Sequence, residues 1–321
     1  MELRWGAGIL RELLLLSLGM AVTLSSASAM AGSEQEVRSG ELRGTLTMPE
    51  GSDSVPAVLI LAGSGPVDRD GNLPNARNDS LKLLAQGLAA YGIASLRTDK
   101  RGIGGSKSAA TREEDLRFGT YVSDAVDWLD FLRTQNRVTR VIVLGHSEGA
   151  LVATLAAQRT SVSGSVMVAG AGEPAAAIIE RQLAAAGVPS GLQIASRRIT
   201  ESLLKGNAIT DVPPELQAIY RPSAQQYLMS WLPIDPAKEL SKLSVPILVV
   251  QGTSDLQISI DDAKRLVAAS PTASLAVVEG MNHVLKSSSM ERKENLLSYN
   301  DPERPLADRL VPIILDFLVA P

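Results

Sequence analysis

The 321-residue sequence contains no cysteine and only two histidines, His146 and His283. The absence of cysteine excludes disulfides, thiolate nucleophiles and zinc–thiolate sites. Two histidines are too few for a histidine-rich metal centre, and the sequence implies neither a metal nor a cofactor. Any mechanism that needs a histidine base must therefore use one of these two side chains.

The sequence also lacks an excess of positive charge. Its 31 basic and 35 acidic side chains give a formal net charge of −4, whereas nucleic-acid-binding proteins need a basic surface to neutralise phosphates. We therefore expect no nucleic-acid partner. Charged residues make up 21% and hydrophobic residues 45% of the chain, which is the balance of a folded globular protein.

The first 29 residues have the pattern of an export signal. Arg4 and Arg11 precede the apolar run 13–24, and a small-residue stretch then ends in Ala-Ser-Ala at 27–29. A basic start, an apolar centre and an Ala-x-Ala site are the parts of a cleaved signal peptide. A membrane anchor is the alternative, but the run is shorter than the ~20 residues that a spanning helix requires. We predict a signal peptide over 1–29, export to the periplasm or the cell exterior, and no stable membrane anchor.

The rest of the sequence alternates between short apolar runs and segments with helical spacing. The apolar runs have the length and composition of strands buried on both faces; they lie at 55–62, 93–96, 140–144, 166–169, 246–250 and 274–278. The helical patterns lie at 80–91, 121–133, 150–158 and 306–318. This alternation predicts an α/β fold with a mostly parallel, doubly wound sheet. Residues 36–48 can add an antiparallel hairpin at one edge.

One interval, 173–243, interrupts the alternation. It has no buried-strand pattern, but it has helical patterns near 175–186, 192–204 and 214–232. An ordinary crossover between parallel strands needs only one helix. We therefore predict that 173–243 is a helical cap, inserted into a core formed by 36–172 and 244–321.

The segment Gly145–Gly149 reads Gly-His-Ser-Glu-Gly and lies between a predicted strand and a predicted helix. Gly-x-Ser-x-Gly is a weak signal by itself, but in this context it indicates a sharp turn that exposes the serine hydroxyl. Glycines suit such a turn because neighbouring backbone comes very close. The helix that follows directs its positive dipole end toward the site. We interpret Ser147 as a nucleophile, with a structural serine as the alternative.

A serine nucleophile needs a base. His146 is adjacent to Ser147 in the turn, and we expect its side chain to point elsewhere and to pack or hydrogen-bond locally. His283 is therefore the candidate base by elimination. It follows the predicted strand 274–278, in a loop at the carboxyl edge of the sheet, where such sites form.

A third group must orient the histidine and stabilise its protonated form. Asp255 follows the predicted strand 246–250 after a short turn and is our candidate. Asp261 and Asp262 compete with it, but they better suit the first turn of the next helix, where carboxylates favour the dipole.

The chain order Ser147, Asp255, His283 is that of the α/β hydrolases, and nearly all of the sequence after the signal peptide resembles this superfamily. Gly145–Gly149 is similar to its nucleophile elbow. Residues 97–106 resemble its Asp-x-Arg-Gly-x-Gly-x-Ser loop, which is usually structural. Residues 63–71 resemble a loop of esterases grouped near dienelactone hydrolases and serine aminopeptidases. Dienelactone hydrolase uses a cysteine nucleophile, so its activity does not carry over. The prolyl aminopeptidase elbow reads Gly-Gly-Ser-Trp-Gly where this sequence has His146 and Glu148, which weighs against a peptidase.

The resemblance implies a serine esterase with a small-molecule ester substrate. The backbone N–H groups of Glu148 and Ser64 are the expected oxyanion-hole donors. The insertion is rich in alanine and leucine, which favours a modest apolar acyl group. The nearby cluster 68–70 (Asp-Arg-Asp) either braces its loop or contacts substrate, and paired charges favour the brace.

Three other functions remain open. A peptidase or amidase would use the same three residues and would need a cap group for a charged peptide terminus; Glu173, Glu180 and Glu201 are candidates. An acyltransferase would pass the acyl group to an alcohol instead of water. A catalytically silent hydrolase fold would only bind a ligand or partner, but it would have no need to keep Ser147, Asp255 and His283.

Overall fold

A computed structural model describes residues 32–110 and 112–319, so the predicted signal peptide lies outside the described residues. The described residues form eight strands that join in one sheet. The strands are β1 (Ser33–Ser39), β2 (Leu42–Met48), β3 (Val55–Leu61), β4 (Ala94–Thr98), β5 (Val138–His146), β6 (Gly164–Val168), β7 (Ile247–Gly252) and β8 (Ala273–Val278).

Eleven α-helices accompany the sheet in the same residues. They are α1 (Ser80–Ala89), α2 (Phe118–Arg133), α3 (Glu148–Ala157), α4 (Ala175–Ala185), α5 (Ser190–Leu204), α6 (Gln217–Tyr220), α7 (Gln225–Trp231), α8 (Pro236–Leu240), α9 (Ile260–Ala268), α10 (Arg292–Leu297) and α11 (Leu310–Val319). Short 3-10 turns occur at Gly104–Ala109, Glu113–Asp115, Pro214–Leu216, Pro222–Ala224 and Ser298–Asn300.

The strand order in the sheet is β1-β2-β4-β3-β5-β6-β7-β8. β2 pairs antiparallel with β1 and with β4, and every other neighbouring pair is parallel. The predicted doubly wound, mostly parallel sheet is therefore confirmed, and the predicted edge hairpin is β1–β2. Because β5, β7 and β8 are parallel, the loops that carry Ser147, Asp255 and His283 leave the same edge of the sheet.

Apolar side chains cover both faces of the central strands, whereas the edge strand β8, expected from its apolar run to be buried, exposes Leu275 and Val277. Leu84 and Leu88 of α1 and Ile314 of α11 are buried against one face. Trp128 and Leu129 of α2 are buried against the other, together with side chains of α3 and α9. Packing of helices on both faces holds the central strands in place, and the carboxyl ends of these strands carry the site.

None of the helices in 32–110 and 112–319 has both the length and the apolar character that a membrane span requires.

Between β6 and β7 the chain is helical, with α4 to α8 and two 3-10 turns, which we call the cap helices. They have an apolar cluster of their own that includes Leu203, Tyr220 and Leu232. The single helical pattern predicted near 214–232 is wrong, because the chain breaks at Pro222. Arg221 before it is extended (φ −49°, ψ 142°), as a residue preceding proline prefers.

Candidate active site

Ser147 occupies the turn between β5 and α3. Its backbone has φ 55° and ψ −120°, a conformation that non-glycine residues rarely adopt and that costs about 1–3 kcal/mol. The sharp strand-to-helix turn predicted from Gly-x-Ser-x-Gly is therefore present. Such strain persists only where the surrounding structure enforces it, and it places the hydroxyl beyond the end of the strand.

Two glycines allow the turn because they leave room for backbone. A Cβ atom on Gly145 would lie 2.1 Å from the carbonyl oxygen of Gly149. A Cβ atom on Gly149 would lie 2.4 Å from the carbonyl oxygen of Leu61 in β3. Both distances are far shorter than any that a real Cβ atom keeps from another heavy atom, so the first and last positions of the motif require glycine.

The structure brings the three predicted side chains together. His283 Nε2 lies 3.2 Å from Ser147 Oγ, and His283 Nδ1 lies 2.8 Å from Asp255 Oδ2. These distances are within the hydrogen-bond reach expected of a nucleophile, its base and the group that orients the base. The Asp255 carboxylate is fully shielded from solvent and the His283 ring nearly so. The arrangement can transfer a proton from the serine hydroxyl to the imidazole.

Asp255 is held in place by backbone donors as well as by the histidine. Its Oδ1 accepts the N–H groups of Gln257 (2.8 Å) and Ile258 (3.0 Å). Burial alone would raise the pKa of Asp255, but the charge and hydrogen bond of His283 and these two N–H donors lower it below its ordinary value. Asp255 is therefore an ionised acceptor at neutral pH.

The two competing aspartates lie elsewhere. Asp261 is exposed and pairs with Lys264 at 3.0 Å. Asp262 is buried and caps α9 by accepting from the backbone and the hydroxyl of Ser259. Both belong to the first turn of α9, as predicted.

His146 has a role that the sequence did not indicate. Its Nε2 lies 2.8 Å from the carbonyl oxygen of His283, 137 residues away. Because a carbonyl only accepts, Nε2 carries the proton and donates it. Burial, followed by the nearby charge of His283, lowers the pKa of His146 to about 4. His146 is thus neutral at neutral pH and fixes the backbone that carries the candidate base. In the sequence, only its position beside Ser147 pointed to a role in the site.

The two predicted oxyanion donors lie beside Ser147. Glu148 is the first residue of α3, and Ser64 follows β3; both line the same cavity as Ser147. Among the described residues, neither backbone N–H donates to a protein acceptor. A Cβ atom on Gly63 would lie 3.1 Å from Ser147 Cβ, so the loop after β3 passes directly next to the hydroxyl.

The charged cluster that follows this loop contacts protein. Arg69 pairs with Asp99 at 2.7 Å, and Asp70 pairs with Arg97. Asp68 accepts backbone N–H groups of its own loop. None of the three side chains lines the cavity, and their contacts are those expected of a brace.

A cavity of about 580 Å³ lies between Ser147 and the cap helices. Most of its cap wall is apolar, formed by Ala175, Ile178, Ile179, Ala218, Leu228 and Trp231. Its volume is within the range of small-molecule sites, roughly 300–1,000 Å³. The sequence predicts a helical insertion over 173–243 but does not indicate which of its residues line the cavity. Nowhere in the described ranges do three carboxylate or imidazole side chains group as metal ligands.

Comparison with known proteins gives a family match. The model of the alpha/beta hydrolase family matches residues 58–294. Esterase EstD of Thermotoga maritima is 29% identical over 258 residues, which cover 79% of this chain and 60% of EstD. The chain thus matches only about three-fifths of the length of that relative.

Solved structures show the same fold. Est1E from Butyrivibrio proteoclasticus with bound ferulic acid superposes with a TM-score of 0.58 at 16% identity, covering 89% of this chain and all of Est1E. DcsB in complex with its substrate analogue gives a TM-score of 0.58 at 17% identity, covering 89% of this chain and 98% of DcsB. At these identities the likeness concerns the fold alone.

Proposed function

Because the chain belongs to the α/β hydrolase family, we propose that it is a carboxylesterase-type serine hydrolase that uses Ser147, His283 and Asp255. The observation that carries this proposal is the hydrogen-bonded line from Ser147 Oγ through the His283 ring to Asp255, with steps of 3.2 and 2.8 Å. The similarity to an esterase of Thermotoga maritima supports it.

The reaction is acyl transfer to water. Ser147 Oγ attacks the ester carbonyl while His283 Nε2 takes its proton, and the N–H groups of Ser64 and Glu148 stabilise the oxyanion that forms. His283 then gives the proton to the departing alcohol, and the acyl group stays bound to Ser147 as an acyl-enzyme. A water molecule, deprotonated by His283, releases the acid and restores Ser147. Throughout, ionised Asp255 holds Nδ1 protonated, so that Nε2 can act as the base.

The cavity supports esters of small to medium apolar acyl groups as substrates. Its cap wall offers branched aliphatic side chains and Trp231, which stabilise an apolar group by burying it. The volume of about 580 Å³ limits the ester to small-molecule size. This chemistry requires neither a metal nor a cofactor.

The contacts of the cap carboxylates weigh against a peptidase. Glu173 lines the cavity, but Arg181 and Arg265 lie 3.1 and 3.2 Å from it and neutralise it. Glu180 pairs with Arg197 at 3.2 Å and lies away from the cavity wall. A peptide ammonium group would have to displace these arginines.

We expect the protein to hydrolyse 4-nitrophenyl esters with two- to eight-carbon acyl chains, and to leave aminoacyl-4-nitroanilides nearly untouched. Initial rates with equal concentrations of both substrate series measure this preference. Faster turnover of an anilide than of the esters would contradict the esterase proposal and would indicate a peptidase. Adding a primary alcohol and quantifying the transesterified product separates hydrolysis from acyl transfer.

Export is a separate proposal. Residues 1–29 have the parts of a cleaved signal peptide, and we propose that the mature protein is periplasmic or secreted. Mass spectrometry of protein recovered from a bacterial periplasm or medium should show a chain that begins at Met30 or Gly32. An intact Met1 would contradict cleavage and would mean either a membrane anchor or no export.

A further inference from the structure

Lys100 contacts the loop that follows β3. Its Nζ donates to the carbonyl oxygen of Gly63 at 2.6 Å and to that of Gly65 at 2.5 Å. These two carbonyls flank Ser64, whose N–H is a predicted oxyanion donor. Lys100 itself lies just beyond β4, in the segment whose resemblance suggested only a structural loop.

The geometry of one peptide unit connects Lys100 to that donor. The C=O of Gly63 and the N–H of Ser64 belong to the same peptide unit, which is planar and trans in ordinary backbone. The two groups therefore point in opposite directions. A cation that holds the carbonyl on one side fixes where the N–H points on the other, and by polarising the unit it strengthens the N–H as a donor.

The loop needs such a restraint because its own sequence is permissive. Glycines occupy both sides of Ser64, and Gly65 has φ +76°, with no atom near the position of a Cβ. Glycine tolerates many backbone conformations, so local preference does not select one orientation of the Gly63–Ser64 peptide. The second hydrogen bond, to Gly65, holds the far side of the same loop.

Lys100 also lies near the other half of the predicted oxyanion hole. Lys100 lines the same cavity as Glu148, whose backbone N–H is the second donor. Its Nζ lies 5.6 Å from the centroid of the Tyr121 ring, within the range of a cation–π interaction. Burial lowers the pKa of Lys100, and the Glu148 carboxylate opposes that shift.

We propose that Lys100 is a positioning residue that sets the oxyanion hole by fixing the Gly63–Ser64 peptide. The inference rests on the proposed esterase function and adds a residue to its machinery. Lys100 acts through the backbone, so its effect should be confined to the step in which the carbonyl oxygen gains charge.

The test is Lys100→Met, which keeps an unbranched side chain, one atom shorter, and removes its charge and donors. Complete loss of one oxyanion donor lowers kcat by about 10²–10³-fold, and a misdirected donor should lower it by about 10- to 100-fold with KM within about twofold. Lys100→Arg, which keeps a cationic donor, should recover part of kcat. Lys107→Met makes the same change at an exposed lysine of the neighbouring 3-10 turn and should match wild type.

A trifluoromethyl ketone supplies the readout that a merely structural role would not move. It adds to a serine nucleophile and places an oxyanion in the hole, so its inhibition constant in Lys100→Met should rise by the factor by which kcat/KM falls. Unchanged kcat in the folded variant would overturn the proposal, as would a fall in kcat with unchanged ketone affinity. If Lys100→Met does not fold, Lys100→Gln takes its place under the same criteria. Wild-type protein that neither hydrolyses esters nor binds the ketone would instead contradict the esterase function.

Discussion

Ser147→Ala is expected to abolish ester hydrolysis, with a fall in kcat on the order of 10⁶-fold. The substitution removes the oxygen that lies 3.2 Å from His283 Nε2, and a chain without cysteine has no thiol to replace it. The fold should survive, because alanine occupies no more space than serine in the same turn. Steady-state kinetics with 4-nitrophenyl butyrate and a thermal unfolding midpoint measure the two effects separately.

Ser163→Ala is the matched control for this change. Ser163 is exposed and precedes β6, so the loss of its hydroxyl should alter neither kcat nor the unfolding midpoint. If Ser147→Ala retained wild-type turnover, the nucleophile would have to be another residue. If Ser147→Ala lost activity only because it unfolded, its unfolding midpoint would fall well below that of the wild type.

Asp255→Asn is expected to lower kcat by about 10⁴-fold, the scale of the same change in serine proteases. Asp255 Oδ1 accepts two backbone N–H groups, so the amide oxygen of asparagine will take that side. Its NH₂ then faces His283 Nδ1 and donates to it. The ring is left with its proton on Nε2, where it can no longer accept one from Ser147.

The control is Asp261→Asn, which makes the same chemical change in the competing aspartate. Asp261 is exposed and pairs with Lys264, and surface pairs of this kind contribute about 0–1 kcal/mol. Turnover should stay at the wild-type level. A large loss in Asp261→Asn together with a mild one in Asp255→Asn would show that the orienting acid has been misplaced.

Local sequence patterns were sufficient to predict the strands and the turn that position this site. The strands that end near Ser147, Asp255 and His283 contain short apolar runs, and parallel strands necessarily bring their carboxyl ends to one edge. The scarcity of histidine narrowed the base to His283. The glycines of the elbow were predictable because the turn admits only backbone at those positions.

Contacts between loops that are distant in the sequence could not be predicted. The bond from His146 to the carbonyl of His283 and the two bonds from Lys100 to the loop after β3 join segments whose approach depends on the whole sheet. No spacing rule encodes them. The break at Pro222 differs in kind, since a proline inside a helical pattern is a local signal and was available from the sequence.

The central claim is that Ser147 is an activated nucleophile, and labelling with a fluorophosphonate tests it most directly because no substrate has to be guessed. Purified, folded protein is incubated with the probe, digested and mapped by mass spectrometry, with Ser147→Ala in parallel. The account predicts stoichiometric modification at Ser147 and none in the variant. Folded wild-type protein that stays unlabelled, or that carries the label on another serine, would contradict it.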